Sequence, residues 1–139
     1  MTAKISELAD ALEFASGADY FGNEAYVNRE AGRVVFVSDE FCDIEDKPDN
    51  LDSDVWVQIP QKAELDLGVR LVTGFVGEFM PDLKMTVREI FQKKGAYARF
   101  KALLDAQGQL ERWYEYEEAK TVSALQNWCV ENRIVYEDL

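Results

Sequence analysis

The chain has 139 residues, 47% of them hydrophobic and 12% aromatic, enough to bury a core without disulfides or metal. Its 27 acidic and 15 basic residues give a formal charge of −12, which argues against a simple nucleic-acid binder, because neutralising phosphates takes a basic surface. Histidine is absent, and with it the commonest general base and metal ligand.

From the N-terminus, Thr2 or Ser6 is placed to cap a helix whose apolar stripe is Ile5, Leu8, Ala9, Leu12 and Phe14-Ala15, with Ser16-Gly17 as its stop. The same segment lacks the basic, apolar and small-residue regions of a signal peptide. Ala25 to Asn28 and Val34 to Ser38 read as a β-hairpin around Arg29-Glu30-Ala31-Gly32, rich in residues that fit a pleated surface. Asp39 to Asp54 holds eight acids against the single base Lys47, and with Pro48 and Asn50 it reads as a loop. Val55 to Ile59 is a predicted strand closed by Pro60, completing a small antiparallel sheet of three strands or more.

Asp66 is the predicted cap of a helix over Leu67–Phe79, apolar on most sides and therefore expected to be largely buried. Gly68, Gly74 and Gly77 weaken it by about 1 kcal/mol each relative to alanine, and close packing on the sheet would be their use. Pro81-Asp82 starts a turn, and Met85 to Gln92 reads as a helix with Val87, Ile90 and Phe91 inward. The apolar run Leu65 to Met80 is broken by Asp66, Arg70 and Glu78, so no bilayer span is expected. Cys42 and Cys129 lie far apart, and Cys129 falls on a helix face as a reduced, buried thiol, which places the chain in a reducing, cytoplasmic setting as a soluble protein.

The most regular pattern runs from Gly95 to Ile134. Ala96, Tyr97, Phe100, Leu103 and Leu104 mark one helix face, ended by Gln107-Gly108. Leu110, Trp113, Tyr114, Thr121, Ala124, Leu125, Trp128 and Cys129 mark a second, interrupted by Glu117, so a helix is expected from about Tyr116 to Asn132, or from earlier as one rod. The pair would bury Phe100 and Leu104 against Trp113, Leu125 and Trp128, each contributing roughly 1.5–3 kcal/mol.

The runs Gly95-Ala96-Tyr97-Ala98-Arg99-Phe100-Lys101, Arg112-Trp113-Tyr114-Glu115-Tyr116 and Ala124-Leu125-Gln126-Asn127-Trp128 resemble an uncharacterised bacterial protein family, number 0158 of the UPF series. Its pattern is G-A-F-x-R-F-K, R-W-Y-x-F and A-x-x-W-L. Here Tyr97 stands for the first Phe, Tyr116 for the second aromatic and Cys129 for the Leu. The resemblance is specific over about the last forty residues and loose over the β-rich half, where Ile59-Pro60 matches. It implies a fold relationship and carries no activity, so no catalytic residues come with it.

Two charged regions are candidate sites. In the acidic loop, Asp43, Glu45, Asp46, Asp49, Asp52 and Asp54 are the candidate partner-binding residues, set to meet a basic protein. A calcium loop needs glycine at its sixth position and glutamate at its twelfth; counted from Asp43 these are Pro48 and Asp54, so that motif fails and no metal is expected. On the other side, Lys93, Lys94, Arg99, Lys101 and Arg112 are candidate anion-binding residues, with Trp113 and Tyr114 as a stacking surface. The plainer readings are a solvated loop, a basic frame around the helix pair with exposed ion pairs contributing about 0–1 kcal/mol, and aromatics that are core. Arg99 is also placed for a bidentate pair with Glu117 or Glu115 that locks the helices.

The sequence thus predicts a single α+β domain over residues 1–139, a small antiparallel sheet packed against several helices with a C-terminal helical pair. The expected role is non-enzymatic: a cytoplasmic interaction or regulatory module binding through charge-complementary surfaces, with no cofactor and no membrane contact. The alternative is a nucleic-acid or nucleotide-phosphate binder using the basic edge of residues 84–112. A carboxylate-based hydrolase comes third, and needs a concave pocket holding carboxylates of raised pKa.

Overall fold

The computed structural model describes residues 2–16, 24–37, 50 and 53–138. Among them the fold is α+β: five α-helices, a three-stranded antiparallel sheet and a two-stranded parallel one. They gather into two compact units, one drawn from Met1–Leu65 and Thr121–Leu139, the other from Asp66–Lys120.

The first unit begins with strand β1 (Ala3–Lys4), which runs directly into helix α1 (Ile5–Ala15). Ile5, Leu8, Ala11, Leu12 and Ala15 are buried, the stripe that the period of 3.6 demands. Neither Thr2 nor Ser6 caps α1: Lys4 holds the cap position in extended conformation with no side-chain hydrogen bond. The preceding residues are instead committed to a sheet, where β1 pairs in parallel with β5 (Tyr136–Glu137) and the Ala3 amide donates to the Val135 carbonyl at 2.9 Å. A capping pattern can be outbid by a distant strand that no local signal announces.

The predicted hairpin forms from β2 (Glu24–Asn28) and β3 (Val34–Val37), and β4 (Trp56–Gln58) joins the other side of β2, all antiparallel. Ala25 and Val27 alternate inward on β2, and Phe14 meets Phe36 edge-on at 5.0 Å. In the turn, the Asn28 side-chain oxygen accepts from the amides of Glu30 and Ala31, and Gly32 takes φ +72°. A side chain at Gly32 would meet the backbone of Thr2 and Ala3 at 2.4–2.7 Å, so only glycine lets the turn touch the N-terminal strand.

Arg29 joins three parts of this unit. Its Nε donates to the Asn132 carbonyl at 2.9 Å, its Nη1 to the Asp54 carbonyl at 2.7 Å, and its backbone amide to the Val55 carbonyl at 2.7 Å. The planar guanidinium donates in several fixed directions at once, and here all its side-chain acceptors are main-chain carbonyls. Cys129 is fully buried as a free thiol, and burial pushes it up to about 11. Tyr26 is pushed up to about 12, first by partial burial and then by the Glu24 carboxylate that accepts its hydroxyl at 2.7 Å.

The second unit is helical: α2 (Val69–Phe79), a tight turn at Pro81–Leu83, α3 (Lys84–Ile90), α4 (Ala96–Ala106) and the first half of α5 (Leu110–Glu131). Its core is aromatic. The Phe75 ring lies 4.9 Å from Phe79 and 5.3 Å from both Trp113 and Tyr116, and Phe100 meets Trp113 edge-on at 5.2 Å. Such pairs contribute about 0.5–1.5 kcal/mol each beyond the area they bury. The contact expected of the helical pair is therefore present at Phe100 and Trp113, whereas Leu125 and Trp128 belong to the half of α5 in the first unit.

Three expectations for the second unit are corrected. Asp66 does not cap α2. It sits at φ +59° and its carboxylate lies 3.4 Å from Arg70, while Gly68 takes the cap position with no side-chain bond. Nor is α2 largely buried: Leu71, Val72, Phe75 and Val76 form one buried stripe and Val69 is half exposed. Gly74 serves close packing on a helix, since a side chain there would stand 3.0 Å from the Tyr116 hydroxyl.

Helix α5 is one rod from Leu110 to Glu131. Glu117 interrupts the stripe without interrupting the backbone, because glutamate is a good helix former. α4 and α5 finish with the same closure. Gln109 donates to the Leu104 carbonyl at 2.8 Å around Gly108 at φ +69°, and Ile134 donates to the Cys129 carbonyl at 2.8 Å around Arg133 at φ +57°.

Candidate functional site

The basic edge lies in the second unit, on α3, the turn after it, α4 and the start of α5. Between residues 84 and 101 the sequence carries six bases and one acid, Glu89. Lys93, Lys94, Arg99, Lys101 and Arg112 are all exposed, yet three of the five are engaged. Arg99 donates through Nη2 to the Ile90 carbonyl at 3.1 Å, tying α4 to the end of α3. This overturns its expected pairing with Glu115 or Glu117: the only ion pairs among the described residues are Lys62 with Glu13 and Arg70 with Asp66. The Ile90 carbonyl at the end of α3, which also accepts the Lys93 amide at 3.4 Å, takes the guanidinium without any carboxylate having to be desolvated. The Arg112 guanidinium lies over the Phe79 ring at 5.0 Å, and the Lys101 ammonium over Tyr114 at 5.8 Å.

The stacking surface divides. Trp113 is 1% exposed and forms part of the core, while Tyr114 is 45% exposed. Adjacent residues on a helix face directions about 100° apart, so one turns inward and the other outward. Trp128 is buried as well.

Of the acidic candidates, Asp43, Glu45, Asp46, Asp49 and Asp52 lie outside the described residues, as does Cys42. Asp54 is exposed, and its main-chain carbonyl receives Arg29. Among the described residues no three of Asp, Glu, Cys and His stand together as metal ligands.

Two hollows mark the surface of the described residues. The first unit has a polar one of about 410 Å³ lined by Glu24, Gln58, Gln61 and Glu64 with Ala15, Ile59 and Pro60. Both carboxylates are occupied there, Glu24 by the Tyr26 hydroxyl and Glu64 by the Gln61 amide at 2.6 Å. The second unit has an apolar groove of about 590 Å³ between α2 and α3, floored by Val72, Val76 and Val87 and bordered by Lys84 and Arg88. No sequence signal marks it, because an apolar stripe facing a groove has the same spacing as one facing a core.

With this geometry in place, the family pattern extends well beyond the aromatic C-terminal half. The family model described as Uncharacterised protein family (UPF0158) matches residues 1–138. The chain belongs to that family. No curated protein and no solved structure matches it. The UPF0158 match covers the hairpin, Arg29 and the α2–α3 groove along with the Gly95–Trp128 motifs that carry the resemblance in sequence. No helix among its described residues is long and apolar enough to cross a membrane.

Proposed function

We propose that this protein is a non-enzymatic cytoplasmic interaction module that meets a basic protein through the acidic face of its first unit. Asp43, Glu45, Asp46, Asp49, Asp52 and Asp54 would form the contact segment. What supports this reading is the unit's unbalanced charge. Its segments carry 18 acids against 6 bases, and Glu7, Asp10, Glu30, Asp54 and Glu131 are exposed without an ion pair. Crowded carboxylates repel one another and steer a polycation toward them.

Capture from bacterial lysate, with and without nuclease and at low and moderate salt, tests this reading. A protein that survives nuclease, weakens with salt and is lost when the six carboxylates become amides would support it. Nucleic acid that disappears with nuclease would overturn it in favour of a second reading, nucleic-acid or nucleotide-phosphate binding. That alternative draws on the exposed Tyr114 ring beneath Lys101, where a base could stack.

A further inference from the structure

We infer that the groove between α2 and α3 is a docking site for an amphipathic helix of a partner protein, one whose apolar face is flanked by carboxylates. The groove is apolar along its floor, at Val72, Val76, Val87 and the edge of Phe91. Its lip carries apolar side chains beside the two cations, with Met85 66% exposed and Val69 52%. At about 590 Å³ it falls within the roughly 300–1,000 Å³ of ligand clefts, and two helices flank it as in helix-in-groove recognition. An apolar floor offers nothing to the edges of a base or to a phosphate, so nucleic acid is not its occupant.

Charge decides the partner's sign. Among the described residues Lys84 and Arg88 are the only ionisable ones lining the groove, and neither forms an ion pair there. They stand four apart on α3 and so share one face, where two cations repel each other. Carboxylates spaced one turn apart on an incoming helix would relieve that repulsion and be recognised in register. A basic helix would compound it. This surface is opposite in sign to the acidic face proposed above and independent of it.

The test uses the full chain and a displayed library of random peptides long enough for roughly four helical turns. Selection is run against the wild type and against a double variant, Met85→Asp with Arg88→Glu, whose two sites are exposed and so spare the core. Circular dichroism and the unfolding midpoint should match between the two proteins. Expected winners carry apolar residues at helical spacing with a net negative charge. They should bind the variant at least about tenfold more weakly, as expected when an anchor contact is lost. Capture of a basic protein by the acidic face should be unchanged in the variant, which separates failure here from failure of that proposal. Winners of net positive charge, or equal binding to both proteins, would overturn the inference. So would the absence of winners, and in that case binding of oleate measured by calorimetry would reassign the groove to a lipid chain.

Discussion

The two units solve the problem of stability in opposite ways. The first carries the whole net charge of the chain, and at its sheet end it is held by particular joints: the polar ones of Arg29 on two carbonyls and of the strand pairing between Ala3 and Tyr136, and the close approach of Gly32 to the N-terminal strand. The second has nine acids and nine bases and is held by a web of aromatic rings around Phe75 and Trp113. Polar joints are exact and brittle, because each depends on one residue type in one conformation. An aromatic web is redundant in its edges and vulnerable at its centre.

The comparison is tested most severely at that centre. Phe75→Ala removes the ring touching Phe79, Trp113 and Tyr116 and should cost about 3–5 kcal/mol, read from urea unfolding by tryptophan fluorescence. A cost near 1 kcal/mol would show that the web has no centre. Next comes Gly32→Ala, with an expected loss of about 2–4 kcal/mol, because it adds overpacking against backbone to a strained φ. Gly108→Ala has a similar φ of +69° but nothing within 4 Å of the new side chain, and should cost only about 1 kcal/mol. Equal losses at the two glycines would mean that φ alone matters and the hairpin does not press on β1.

Arg29→Ala should cost about 2–3 kcal/mol by leaving two carbonyls without their charged donor, and Arg29→Lys should recover little, since an ammonium lacks the fork. Full recovery by lysine would reduce Arg29 to a general cation. Arg133→Gly should be stabilising by about 0.5–1 kcal/mol in thermal unfolding, giving the end of α5 the glycine that α4 already has. Finally, the buried Cys129 thiol should resist alkylation near neutral pH. Its folded value of about 11 lies above the ordinary 9.0, so the native state holds its proton more tightly than the unfolded chain does. The stability this gives is whole below pH 9 and is lost as pH rises through 11. Fast labelling at neutral pH would contradict the burial.

Much of this fold is legible in the residues. The hairpin, the third strand, the glycine that ends α4 and the inward faces of Phe100 and Trp113 follow from alternation, helical spacing and turn chemistry, all local signals. What escaped was long-range. β1 and β5 are two-residue strands too short to announce themselves, and their pairing displaced the cap expected at Thr2 or Ser6. Arg29 looked like a turn residue because its acceptors are main-chain carbonyls, which have no side-chain signature. At the basic edge the charges are legible in the sequence and their contacts are not. Charge marks Arg99 for an anion or for Glu115 and Glu117, and Arg112 for an anion, whereas their neighbours are a helix end and an aromatic ring. The groove between α2 and α3 combined two helices that were read separately.

The parallel pairing of Ala3 with Tyr136 also has a bearing on biosynthesis. Every contact inside Asp66–Lys120 can be made once that stretch has left the ribosome, but the first unit lacks its last strand until Tyr136 has emerged. Translation proceeds at roughly 5–20 residues per second, so β1 is exposed for seconds as an unpaired edge before its partner arrives. The order of emergence makes this acidic half the last part of the molecule to become native.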